Sequence, residues 1–224
     1  MLNEAVNFEK ECIFIAVPKT GSTSVRSQLR YRGPCLIPNP HLSILQIRDS
    51  LYTCLLVNAL GQNASFPSNN VPADAQLRKR AQELFDHFFK FAAVRNPWAR
   101  AVSLYSRREG VRLSDRMSFQ DFCADHFYAS DTCKHPTLHR NQLDWLVDER
   151  GVSLMNYIYK LENLAAAIKE VELLTDGRVL LSANAENVNP QSQSSTYRDL
   201  YTPEARDMIA KRFERDIDYF GYSF

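Results

Sequence analysis

Pro18-Lys19-Thr20-Gly21-Ser22-Thr23-Ser24 packs one ammonium group, four hydroxyls and a glycine into seven consecutive positions. Such a segment suits an oxyanion. A glycine lets backbone pass close to a ligand, and the first turn of a following helix offers N–H groups that have no partner within the helix. The helix dipole adds positive charge at the same place. Lys19 contributes a full charge, and Thr20, Ser22, Thr23 and Ser24 contribute hydroxyl donors. These are the means to hold a phosphate or a phosphosulfate; the plainer role for the same residues is an exposed turn with a helix cap. The spacing is not that of a Walker A loop, G-x-x-x-x-G-K-[ST], because Lys19 comes two residues before the segment's only glycine.

A second such segment is Val94-Arg95-Asn96-Pro97-Trp98-Ala99-Arg100-Ala101-Val102-Ser103. Arg95 stands where an apolar run ends, and its guanidinium could fork onto a phosphate or pair with a carboxylate. Ser103 follows Asn96 by about two helical turns, so both fall on one helix face. Arg100, Arg107, Arg108 and Arg112 make a basic stretch that either attracts an acidic acceptor or forms a solvated helix face. Trp98 reads as a packing residue.

The elements needed to position these groups are legible on either side of them. Residues 12–17, Cys-Ile-Phe-Ile-Ala-Val, form a continuous apolar, β-branched run of the kind buried parallel strands use, and residues 88–94 read as a second buried strand. Helices are expected over residues 24–31, 41–58, 75–86, 97–108, 118–126 and 161–174. In the helix at 97, Asn96 caps and Pro97 takes the first position; the last helix, 203–217, starts Thr202-Pro203-Glu204. Residues 143–147 and 153–159 read as two strands about a turn, and residues 179–181 as a short strand. The stretch 61–73, rich in Asn, Ser and Pro, reads as a flexible loop, and 184–197 as a polar loop. Strands alternating with helices predict an α/β, three-layer, P-loop-like fold with a central, mainly parallel sheet flanked by helices. At 224 residues the expectation is one domain, 1–224.

Bulk properties narrow the partners. A net charge of +1 argues against a duplex nucleic-acid partner, which calls for a strongly basic face, while leaving room for a local anion pocket. Five cysteines, Cys12, Cys35, Cys54, Cys123 and Cys133, contain no C-x-x-C pair and read as reduced thiols, with Cys12 a small core residue. The first ten residues lack the apolar core of a secretory signal, and the longest apolar stretch, 51–60, is too short to span a bilayer. The expected location is therefore cytoplasmic. No residue group suggests a required metal.

Together the two anion segments resemble those of sulfotransferases that use 3′-phosphoadenosine 5′-phosphosulfate (PAPS). Pro18-Lys19-Thr20-Gly21-Ser22-Thr23 between strand and helix looks like their 5′-phosphosulfate loop, and Arg95 with Ser103 like their 3′-phosphate motif. The chain is most similar to the carbohydrate branch that includes heparan sulfate 2-O-sulfotransferase and small bacterial relatives. The likeness continues through Asn141-Gln142-Leu143-Asp144-Trp145-Leu146, Leu161-Glu162-Asn163-Leu164 and the end of the chain from Tyr197. Ser22 stands where many relatives carry a second glycine.

The resemblance implies transfer of a sulfuryl group from PAPS to an acceptor hydroxyl, on a glycan or a small molecule, releasing 3′-phosphoadenosine 5′-phosphate (PAP). It gives Lys19 the bridging oxygen and 5′-phosphate, the 20–23 backbone the phosphosulfate, and Arg95 with Ser103 the 3′-phosphate. Ser24 closes the loop, and Ser195 and Arg198 belong to a late loop near the nucleotide. A base must take the acceptor's proton, and a histidine suits that work. By position the resemblance selects His41, with His139 and Glu109 as further candidates; His87, His126 and His135 have no positional argument. Two other readings stand beside it. One is a kinase-like P-loop transferase, which calls for a Walker lysine and a magnesium-binding acid. The other is a non-catalytic module that binds sulfated or phosphorylated ligands.

Overall fold

The computed structural model describes residues 3–29, 37–62, 74–106, 117–126, 140–182 and 197–224. Four strands form one sheet in the order β1-β2-β3-β4: β1 (Val6–Asn7), β2 (Cys12–Ile15), β3 (Phe89–Val94) and β4 (Tyr157–Lys160). The short β1 runs antiparallel along β2, whereas β2 with β3 and β3 with β4 are parallel. The fold is therefore α/β with a mainly parallel sheet between helices, as expected.

The pleat sends alternate residues of β2 and β3 to opposite faces. Ile13, Ile15, Ala92 and Val94 pack with Ile44, Ile47, Leu51 and Cys54 of α2 (Ile44–Gln62) and with Ala81 and Phe85 of α3 (Asp74–His87). Cys12, Phe14, Phe91 and Ala93 face the other way, onto Val25 and Leu29 of α1 (Ser22–Leu29) and Ala167 and Val171 of α6 (Leu164–Leu174). Apart from Lys90 at the start of β3, both strands are apolar because neither face meets water. A third cluster, beyond the ends of the strands, joins α4 (Pro97–Tyr105), α5 (Phe119–Asp121) and α7 (Pro203–Arg212), with Phe213 leading into α8 (Glu214–Phe220).

Helix starts follow their local chemistry. The Asn96 side chain accepts from the N–H groups of Trp98 and Ala99, and Thr202 accepts from Ala205. Lys90, buried at the start of β3, donates to the carbonyls of Phe85 and Phe88 at 2.8 and 2.7 Å and so closes the end of α3.

Several expected boundaries move. The helix expected from residue 24 begins at Ser22, and the one expected at 41–58 runs Ile44–Gln62, so Gly61 and Gln62 are helical; the rest of the 61–73 stretch lies outside the described residues. Residues 143–147 are not a strand: Gln142–Trp145 is a 3₁₀ turn, and Val147 makes one isolated bridge to Ser153. The strand expected at 153–159 is confined to β4. Residues 179–181 form no strand; Val179 packs as a core residue instead, its N–H held by the Thr175 hydroxyl. Residues 118–126 divide into α5 and a π turn, Phe122–His126. The helix expected at 203–217 breaks at Phe213 into α7 and α8. No helix among the described residues is long and apolar enough to cross a membrane.

Candidate active site

Because β2 and β3 are adjacent and parallel, the segments that leave their carboxyl ends lie side by side, which is where open α/β sheets place their ligands. One of these segments is 17–22, leading into α1; the other is Arg95-Asn96, leading into α4.

The first loop turns through two left-handed residues, Lys19 at φ +68° and Gly21 at φ +72°. For Lys19, which carries a Cβ, that conformation costs about 1–2 kcal/mol. At Gly21 glycine is required twice over: besides its φ, a Cβ there would sit 2.8 Å from Leu161 Cδ1. Leu161 begins the Leu161-Glu162-Asn163 turn that leaves β4, so this later motif packs directly under the loop. Ser22 is already the first helical residue and needs no glycine's freedom.

The hydroxyls divide in role. Thr20 is fully buried and donates to the Val17 carbonyl at 2.9 Å. Its side chain therefore closes the loop rather than reaching a ligand, which corrects the expectation of a hydroxyl donor there. Ser22 is also buried, Ser24 is half-buried and Thr23 is exposed.

Arg95 is buried at 9 % exposure, and its Nη1 reaches the Lys19 carbonyl at 3.5 Å. Its backbone is clasped from both sides by the Gln142 amide, which accepts from Arg95 N–H and donates to Arg95 C=O, each at 2.8 Å. Gln142 is held in turn by the buried Asp216 carboxylate, which accepts from the backbone N–H groups of Gln142 and Leu143 at 2.7 and 3.0 Å. Burial pulls the Arg95 guanidinium below the usual arginine range, while Glu162 and Tyr222 pull it back. Glu162 spends its carboxylate on other donors: it accepts from Asn96 N–H at 2.8 Å and from the Tyr222 hydroxyl at 3.4 Å. A buried guanidinium beside a loop of turned backbone has the means to bind an anion.

Every residue of α4 except Ser103 is buried, so Ser103 is the side chain this helix leaves half open. Trp98 is a packing residue, its indole N–H donating to the Arg206 carbonyl at 3.0 Å. Arg100 corrects the reading of a solvated or acceptor-facing basic helix: it is 1 % exposed, under the first loop.

His41 stands at the carboxyl end of β2. Its Nδ1 lies 2.6 Å from the Ala16 carbonyl, and its backbone N–H donates to the Asn39 side chain. A carbonyl only accepts, so Nδ1 carries a hydrogen, and in the neutral ring Nε2 then holds the lone pair. The buried Asn3 amide fixes the approach by donating to the carbonyls of Ile37 and Asn39. Arg198 is exposed and rests over the rings of Tyr197 and Phe224. Phe224 packs edge-on to Trp98, and Asn96 donates to the Ser223 carbonyl, so Arg198 lies at the start of α4.

Thus Lys19, Thr20, Gly21, Ser22, Arg95 and His41 gather at the ends of β2 and β3, with Thr23, Ser24 and Ser103 on the helices that leave them. Ser195, His139, Glu109, Arg107, Arg108 and Arg112 lie outside the described residues.

A family model described as the sulfotransferase family matches residues 5–223. The chain belongs to the sulfotransferase family. The match takes in both strand-end segments, the Gln142 turn, the Leu161 turn and the closing helices of this sulfotransferase. No curated protein and no solved structure matches it. The supporting residues Gln142, Asp216, Glu162 and Leu161 sit 47 to 121 positions after Arg95, and only the resemblance of their local motifs pointed to any of them.

Proposed function

We propose that this sulfotransferase takes the sulfuryl group from PAPS and passes it to a hydroxyl of a carbohydrate acceptor, with His41 as the base. The observation that carries the reading is the contact of the buried Arg95 guanidinium with the Lys19 carbonyl, which sets two anion-binding devices beside each other. A nucleotide with phosphate on both its 3′ and 5′ positions needs such a pair; ADP does not. The carbohydrate class of the acceptor rests on the likeness to the carbohydrate branch.

Each group then has one task. Arg95 and Ser103 hold the 3′-phosphate, and Arg198 stands at the same end of α4. The N–H groups of residues 20–23, with the hydroxyls of Ser22, Thr23 and Ser24 beside them, hold the 5′ end. Lys19 neutralises charge on the leaving phosphate oxygen. Nε2 of His41 receives the proton as the acceptor oxygen bonds to sulfur and the bond from sulfur to that phosphate oxygen breaks. As in phosphoryl transfer, positioning and charge are what the protein supplies.

Calorimetric titration with PAP and with ADP tests this. The expected result is a clear preference for PAP that Arg95→Ala abolishes, with PAP affinity falling about tenfold to a hundredfold, as for loss of a charged hydrogen bond. Equal affinity for PAP and ADP in the wild type would move the kinase-like reading ahead.

A further inference from the structure

Arg100 has no part in the chemistry just described, yet it is a fully buried cation whose Nε donates to the Pro18 carbonyl at 3.0 Å. Pro18 immediately precedes Lys19, which holds the left-handed conformation at φ +68°. Residues with a Cβ stay in that region only where their surroundings hold them there. The peptides on either side of Lys19 are each met by an arginine from around the start of α4. Arg100 takes the carbonyl before Lys19, and Arg95 approaches the carbonyl of Lys19 itself at 3.5 Å. Thr20 ties the loop back to Val17 at 2.9 Å. Arg100 is itself fixed: its Nη1 donates to the Arg140 carbonyl at 3.3 Å, its guanidinium lies 5.6 Å from the Phe213 ring centre, and it acts electrostatically on Asp216, which holds Gln142.

Resting on the PAPS reading above, we propose that Arg100 is the positioning residue of the 5′ loop, pinning the Pro18–Lys19 peptide so that Lys19 and the N–H groups behind it meet the 5′-phosphosulfate. It touches no reacting atom. Its effect falls on the 5′ half of the nucleotide, while the 3′ half is held by Arg95 and Ser103.

That division makes the test. Arg100→Lys keeps the charge but puts a methylene where Nε donates, so it removes the Pro18 contact along with the guanidinium's reach to Arg140; Arg100→Gln removes the charge as well. Binding of PAP and of adenosine 3′-phosphate, which lacks the 5′ group, is measured for the wild type and for both variants, with circular dichroism as a check on folding. Both variants are expected to lose about tenfold in PAP affinity, the scale of one hydrogen bond to a charged group, and to keep adenosine 3′-phosphate within about twofold. A merely structural role predicts equal loss of both ligands. Equal loss, or unchanged PAP affinity, overturns the proposal. Should neither Arg100 variant fold, Thr20→Val removes the loop's other brace with little change in shape: the same selective loss supports a loop that must be held, and unchanged PAP binding overturns it. A wild type that holds PAP no better than ADP overturns the PAPS reading itself, and this inference with it.

Discussion

Arg95 and His41 illustrate how a single group is prepared by the atoms around it. Arg95 is desolvated, and its backbone is engaged on both sides by Gln142, which fixes the point from which the guanidinium extends. His41 has its tautomer set by one carbonyl. Holding the ring in place while presenting Nε2 separates its role from nucleotide binding. His41→Ala is therefore expected to lower turnover about a hundredfold to ten-thousandfold while leaving PAP affinity near the wild-type value. Turnover is read as acceptor-dependent PAP release with an oligosaccharide from a glycan panel. A fall in PAP affinity that matches the fall in rate would assign His41 to binding instead. Cys12 and Cys123 take no such part: burial pushes their thiols up to about 12, away from the thiolate form that nucleophilic chemistry needs.

At the scale of elements, the anion loop depends on a turn from the far side of the sheet. Gly21→Ala meets both a positive φ and the Leu161 side chain. A loss of about 1–2 kcal/mol from the conformation alone is expected, plus a steric part. Adding Leu161→Ala is expected to recover the steric part of the Gly21→Ala defect and none of the conformational part. The check is chemical denaturation of the two single variants and the double; strict additivity would show that the two residues do not meet. The turn before β4 gives a pH signature. Asp148 accepts from the N–H groups of Arg150 and Val152, at 2.9 and 2.8 Å, and these bonds together with the Arg150 guanidinium hold its carboxyl below the usual range. Its folded value lies below its unfolded one, so its stabilisation is complete above the ordinary carboxylate range and is lost as pH falls through the lowered value. Thermal unfolding of Asp148→Asn is expected to show a shallower loss of stability on the acid side than the wild type; parallel curves would remove Asp148 from that limb.

Across the whole molecule, core and site are separable. Leu51 is fully buried on the α2 face of the sheet, away from the loops at the strand ends. Leu51→Ala is expected to cost about 2–5 kcal/mol in urea unfolding while leaving the PAP-to-ADP preference of the folded protein intact. A changed preference would mean that the α2 face and the strand ends act as one unit.

The sequence alone determined the α/β class, the two buried parallel strands, the capped starts of α4 and α7, and the strand–loop–helix order at 12–29, because each of these is written in contiguous residues. Apolar runs mark strands buried on both faces. Asn-Pro and Thr-Pro mark helix starts, and a lysine, a glycine and hydroxyls between strand and helix mark an anion loop. The tertiary structure decided what long-range contact decides. Gln142 stood just before an expected strand at 143–147, yet its buried amide clasps Arg95 from a 3₁₀ turn. Arg100 looked like a solvated charge, but packing of α4 against the loop buries it at the Pro18 carbonyl. Thr20 looked like a ligand donor, but burial turns its hydroxyl back onto Val17. A buried polar group must find a partner, and the partner that folding brings beside it is absent from the local pattern of residues.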